Sequence, residues 1–255
     1  VNGIYTVTPS KTGFTFSPVS RTFTINGANI TGMNFTATAT TAFPASTTRR
    51  ASSGNTGQNS GTEISVTAPA GTAAGDLVSL IIVSNDDASG HTDHNGATAF
   101  TQDLAPSLYG TGGGYISVWS RRIQAGDPGV YRFTLNFSSS RWTIIAVTWQ
   151  NPNSSKVYDV TPVFHSYKTV GSCSADTITT TTNNAIHVAF ASIDGALNTF
   201  SSTPIDYTVE QNVDGQRSVY TDKVIAPPGA TGAPSFELAT QQFCGTVSFA
   251  IANNN

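Results

Sequence analysis

The chain has 255 residues, of which 11% are charged, and a formal net charge of −3. So low a charged fraction, with no basic excess, excludes an electrostatic footprint for nucleic acid or an anionic membrane surface. No apolar run reaches the length of a membrane helix, so no membrane insertion is expected. Neutral Thr, Ser, Asn and Gly fill the polar places instead, which suits the strands and turns of an extracellular or cell-surface β-protein.

The chain opens at Val1 inside strand-like sequence, with no initiator Met and no leader-like segment, and reads as a processed product or a piece of a longer protein. Residues 1–38 carry short alternating runs punctuated by Pro9, Gly13, Pro18 and Asn26-Gly27. Asn26-Gly27 predicts a hairpin, because both central positions of a type I′ turn need positive φ. Tyr5, Val7, Phe14, Phe16, Phe23, Ile25 and Phe35 share one apolar face that is too large to stay wet. It is expected to pack on the main domain, on a missing upstream segment, or on another subunit by strand complementation. Plain truncation of a multi-domain surface protein is the alternative.

The run Gly3-Ile-Tyr-Thr-Val-Thr-Pro-Ser-Lys-Thr-Gly-Phe-Thr-Phe-Ser-Pro18 is followed by Thr22-Phe-Thr-Ile-Asn-Gly-Ala-Asn29 and Gly32-Met-Asn-Phe-Thr-Ala37. Together they resemble the C-terminal half of the carboxypeptidase-regulatory-like, immunoglobulin-type repeats of bacterial secreted proteins. The resemblance covers about a seventh of the chain. It implies half of a sandwich that takes about 100 residues when whole.

Residues 39–61 show no period and are expected to be a Ser/Thr/Gly-rich linker, with Arg49-Arg50 a solvated pair or a processing site. From residue 62 onward, alternating runs are separated by turn residues, with no helical pattern. Strands are expected near 64–66, 76–83, 115–120, 131–137 and 142–149. The same order returns near 177–181, 184–192, 218–223, 235–238 and 242–252. The stretches 141–149 and 242–252 are apolar on both faces, which predicts two equivalent central strands. The repeat aligns 117–122 with 218–223 and 143–149 with 246–252. The fold expected is all-β: an antiparallel jelly-roll-type sandwich of two pseudo-repeated halves, 62–151 and 172–253, with a small half-immunoglobulin-like segment before it.

Pro69-Ala-Gly71, Gly75-Asp-Leu77 and the segment from Val118-Trp119 to Asp127-Pro128 also resemble a common module of bacterial and phage surface proteins. That resemblance spans most of 62–253 and implies a secreted β-sandwich without a fixed activity.

Cys173 and Cys244 fit one disulfide in an oxidising compartment, two buried thiols being the alternative. His91-Thr-Asp-His94 follows Asn85-Asp-Asp87 in a polar loop. Solvated loop is the preferred reading, and any ion there is expected to be Ca²⁺ held by Asp86, Asp87 and Asp93. Tyr109, Tyr115 and Trp119, with Trp142, Trp149 and Tyr207, are candidates for a sugar platform. Strand alternation favours core places for the tryptophans, and Tyr109, beside a Gly-rich run, is the better platform residue. His165 and His187 sit in apolar stretches and read as structural. No nucleophile elbow, carboxylate pair or phosphate loop stands out, so no enzyme and no resident cofactor are expected. The function expected is structural: a subunit or module of a bacterial surface filament, appendage or adhesin, joined through residues 1–38 to copies of itself or to neighbouring surface-protein domains. The alternative is a carbohydrate-binding module with glycan partners.

Overall fold

The computed structural model describes residues 2–11, 14–39, 45–58, 62–85, 91–95, 99–110, 114–135, 141–194, 199–213 and 217–254. Every regular element among them is a strand, and every ladder is antiparallel. The chain divides into two units, Val1–Pro44 and Ala45–Asn255.

The first unit contains β1 (Gly3–Val7), β2 (Phe14–Ser17), β3 (Arg21–Ile25) and β4 (Thr36–Ala39). β1 pairs with β3 and β2 with β4, giving two separate ribbons. The hairpin expected at Asn26-Gly27 does not form. Gly27 does take a φ of 74°, but its N–H donates to Asn2 Oδ1 at 2.9 Å, tying the end of β3 back to the start of β1. The strand that follows, β4, pairs elsewhere.

The second unit begins with β5 (Thr48–Gln58), β6 (Glu63–Thr67), β7 (Leu77–Asn85), β8 (His91–Asp93), β9 (Thr101–Tyr109), β10 (Gly114–Arg122), β11 (Val130–Leu135) and β12 (Arg141–Gln150). It continues with β13 (Tyr158–Ser174), β14 (Ala185–Asp194), β15 (Phe200–Ser202), β16 (Thr208–Val213), β17 (Ser218–Ile225) and β18 (Ser235–Ile251). One sheet runs β5-β12-β7-β10-β9, and the other runs β13-β18-β14-β17-β16. A smaller sheet, β6-β11-β8, covers the first, while β15 joins the start of β18 on the second.

The two large sheets repeat one another down to register. Ile81 of β7 faces Val118 on one side and Ile145 on the other. Phe190 of β14 faces Tyr220 and Val247 in the same way. All six side chains point into one shared core, together with Leu77, Val83, Ile116, Val147, Trp149, Ile186, Val188, Phe249 and Ile251. β5 lies over β16 and β9 over β13, so each half presents its first strand to the other's far edge. That reciprocity is the mark of an isologous pair.

Alternate residues of the central strands face the other way. Val78, Leu80, Ile82, Trp142, Ile144 and Ala146 pack with Phe133 and Tyr131 in a core private to the first half. The second half's private core is built of smaller groups, Ala189, Ala191 and Val219, with Phe200, Phe236 and both cysteines. A strand between two cores must be apolar on both faces, which is why 142–149 and 242–252 read as central. β12 and β18 are indeed each second in their sheets.

Three expectations are corrected. Residues 48–58 are not linker: β5 pairs with β12 along its whole length, from Gln150↔Thr48 to Arg141↔Gln58. An edge strand needs ladder bonds more than side-chain burial, and small residues help here. A Cβ on Gly57 would lie 2.5 Å from the Trp142 ring. The second half likewise starts before 172, because β13 is its edge strand, pairing with β18 from Tyr158 onward. The repeat is also displaced by one residue from the sequence alignment. Val118 and Ile145 match Tyr220 and Val247, whereas Trp119 belongs to the private core of its own half. With both faces apolar, the hydrophobic pattern does not distinguish a one-residue slip.

The expected disulfide, Cys173–Cys244, closes a sequence separation of 71 residues and joins β13 to β18. Removing that much chain freedom from the unfolded state is worth about 4 kcal/mol on the chain-entropy argument.

Candidate functional site: the apolar faces of the first unit

Each N-terminal ribbon has one apolar and one hydroxyl-bearing face, as two-residue periodicity dictates. In the β1–β3 ribbon, Tyr5 opposes Phe23 and Gly3 opposes Ile25, and the Tyr5 and Phe23 rings stack 6.1 Å apart. On the other face Thr6 and Thr22 share a hydroxyl bond of 2.9 Å. In the β2–β4 ribbon, Phe16 opposes Ala37, while Thr15 Oγ1 donates to the Thr38 carbonyl. Ladder bonds and alternation thus gather the seven apolar residues singled out in the sequence onto ribbon faces or beside them.

None of the described residues of the first unit is buried. Tyr5 and Val7 are 40% and 43% exposed, and Phe14, Phe16, Phe23, Ile25 and Phe35 are half-buried. Among the described residues, each of the four strands has one ladder and one open edge. The contrast with the second unit is sharp, since Leu77, Val78, Leu80 and Ile82 there are fully enclosed.

The sugar platform is corrected. Tyr109 is 1% exposed and Trp119 5%, so neither offers a ring face to a ligand. Tyr109, at the end of β9, wedges between the two halves. Its hydroxyl bonds Ser192 Oγ at 3.0 Å, and its ring lies over Gly245, where a Cβ would sit 2.7 Å from Cγ. Trp119 donates to Ser117 Oγ at 2.8 Å and meets Phe133 edge-on. Tyr115 is half-buried. Tyr207 is half-buried as well and lines an open cleft.

Of the candidate calcium ligands, Asp86 and Asp87 lie outside the described residues. Asp93 accepts from Asn95 and from the Phe100 N–H, which closes a local turn. His91 is enclosed, with Ser84 Oγ at 2.9 Å and Ser117 Oγ at 2.5 Å, whereas His94 is exposed. Among the described residues no group of three or more His, Cys, Asp and Glu side chains is placed to hold a metal ion. Burial pushes His91 down to about 4. Burial, then the Lys223 ammonium, does the same to His187, which bridges Tyr207 OH at 2.5 Å and Ser248 Oγ at 2.7 Å.

Arg49 and Arg50 are not a solvated pair. Arg49 Nη1 donates to both Asp222 oxygens at 2.7 and 2.6 Å, crossing from β5 to β17 of the other half. Arg50 bonds Asp76 at 2.8 and 3.1 Å. At the opposite edge Tyr158 OH donates to Asp103 Oδ2 at 2.8 Å, so a polar latch closes each side of the shared core. Burial raises both carboxyls, against the hydrogen bonds from Arg49 to Asp222 and from Tyr158 and Ser120 to Asp103. These latches escaped sequence reasoning because each spans more than fifty positions.

No family model, curated protein or solved structure matches the chain. No helix among the described residues is long and apolar enough to cross a membrane.

Proposed function

We propose that the protein is an extracellular structural subunit that joins its neighbours through the strands of the first unit. One observation carries this reading: among the described residues of the first unit, seven large apolar side chains on or beside four strands enclose no buried residue. Covering the exposed part of seven such side chains is worth roughly 1 kcal/mol each, on the order of 7 kcal/mol together. The occupant is the same unit of a second copy. Two such ribbon pairs, face to face, make the two apolar layers that a sandwich needs, and the open strand edges supply ladder bonds.

The second unit supports the same reading by what it has already used. Its two large sheets cover one another's inner faces in a closed, reciprocal pair, which leaves assembly to the first unit. The disulfide suits an oxidising, extracellular setting.

The test is electron microscopy and light scattering of the intact chain against a Tyr5→Asp/Phe23→Asp variant. The three tryptophans, Trp119, Trp142 and Trp149, all lie in the second unit, so their fluorescence reports its integrity in both proteins. Ordered oligomers of the intact chain that the variant loses, with tryptophan emission unchanged, are expected. An intact chain that stays monomeric up to high micromolar concentration overturns the reading.

A further inference from the structure

The second half carries an open cleft of about 460 Å³ that the assembly reading does not use. The turn before β16 forms one wall: Tyr207 N donates to the Pro204 carbonyl at 3.4 Å, and Asp206 takes a φ of 67°. The start of β18 forms the other, where Ser235 Oγ donates to Glu237 Oε1 at 3.2 Å. Tyr207 and Lys223 line the space between them. The Tyr207 hydroxyl is directed inward onto His187 Nδ1 at 2.5 Å, and the ring stands edge-on to that imidazole. The ring is therefore held in place and shows carbon rather than hydroxyl to the cleft. Lys223 Nζ stands 5.5 Å from the ring centroid and 3.9 Å from Asp206 Oδ2.

The internal repeat shows what is unusual here. Thr101 pairs with Ser120 in the first half as Thr208 pairs with Asp222 in the second, so Phe100 and Arg121 stand where Tyr207 and Lys223 do. In the first half that place is filled. Phe100 is 6% exposed beneath Tyr131 and Phe133, Arg121 lies 5.0 Å over its ring, and Asp127 from the following turn pairs with Arg121. The corresponding turn of the second half, residues 226–234, contains no carboxylate. The aromatic–cation pair is kept while its cover is missing, and the cleft is what remains.

The geometry points to a neutral oligosaccharide as the ligand of this cleft. A fixed aromatic ring takes the C–H face of a pyranose, and a ring of hydroxyls needs both acceptors and donors, which Glu237, Ser235 and Lys223 supply. The one lining cation, Lys223, is set against Glu237 and the neighbouring Asp206, which disfavours a polyanion. The volume lies in the range of small-ligand sites. This inference does not depend on the assembly reading.

The test uses the full chain on an array of neutral β-glucan, xylan, mannan and chitin oligosaccharides, alongside uronate and sulfated glycans, followed by calorimetric titration with the strongest neutral hit. The variants are Tyr207→Ala and Glu237→Gln, with Leu108→Ala as a surface control on β9. Glu237 is exposed, so its replacement leaves folding intact and keeps the test meaningful if Tyr207→Ala fails to fold. The expected result is binding to at least one neutral series, weakened tenfold or more by either cleft variant and unmoved by Leu108→Ala. No binding at millimolar sugar, binding that both cleft variants retain, or binding confined to the anionic glycans overturns the proposal.

Discussion

Mild acid should destabilise the second unit, and its two enclosed histidines set the size of the effect. His91 is 4% exposed and His187 is fully enclosed, and both are pushed down to about 4 from the ordinary 6.5. Above pH 6.5 both rings are neutral in the folded and the unfolded chain, and the linkage contributes nothing. As pH falls from 6.5 towards 4, the unfolded chain takes up protons that the folded one refuses, so stability is lost over that window. At about 1.4 kcal/mol per pH unit, each histidine accounts for between about 3 and 4 kcal/mol. Together they approach 7 kcal/mol, against a total on the order of 5–15 kcal/mol for a folded domain. Asp103 and Asp222 act with the opposite sign. Their folded values are raised above 3.8, so protonation favours the folded chain as pH falls, and they offset the loss at the acid end of the window. Urea unfolding followed by tryptophan fluorescence at pH 7, 6, 5 and 4.5 measures the slope. Replacing both histidines by Gln, which keeps hydrogen-bonding capacity but does not titrate, should flatten it. A loss below about 1 kcal/mol between pH 7 and 4.5, or the same loss in the double variant, would refute the reasoning.

Two further substitutions probe the join between the halves. Gly245→Ala drives a methyl into Tyr109 and Ile116, with contacts of 2.7 and 2.8 Å, and should cost about 2 kcal/mol in chemical denaturation. Gly171→Ala, where a Cβ meets nothing within 4 Å, is the matched control and should leave the midpoint unchanged. Arg49→Ala leaves the Asp222 side chain, 9% exposed, without the guanidinium it faces and should cost about 3 kcal/mol at neutral pH. Because protonated Asp222 no longer needs a cation, the gap between variant and parent should narrow as pH falls. A gap that widens instead refutes the latch.

What the sequence makes legible is set by how strongly packing writes itself into residue type. β7, β12, β14 and β18 each lie between two cores, so they read as apolar runs and as central strands. The disulfide is legible because the chain's two cysteines can make just one pair with each other. β5 is an edge strand held by its backbone ladder, and its Ser, Thr and Gly carry no period, so it passes for linker. The one-residue slip between the repeats is hidden for the same reason that the central strands are obvious: both of their faces are apolar. Tyr109 looks like a loop aromatic because Gly110 follows it. In fact glycine is what lets it in, since Gly114 and Gly245 leave the space that its ring fills. The cleft at Tyr207 is invisible in sequence because it is defined by a cover that the first half has and the second lacks.

The reciprocal stacking of the two large sheets has one more consequence. In a pair of separate subunits, such a face would come apart on dilution. Here β12 leads into β13 through a short stretch of chain, so each half always meets its partner at an effective concentration in the millimolar range. The join is therefore insensitive to how much protein is present, and neither half has to be stable on its own. That freedom shows in their unequal upkeep. The first half has a private core rich in tryptophan, tyrosine and phenylalanine, while the second packs alanines with Phe200, Phe236 and Leu238 around a disulfide.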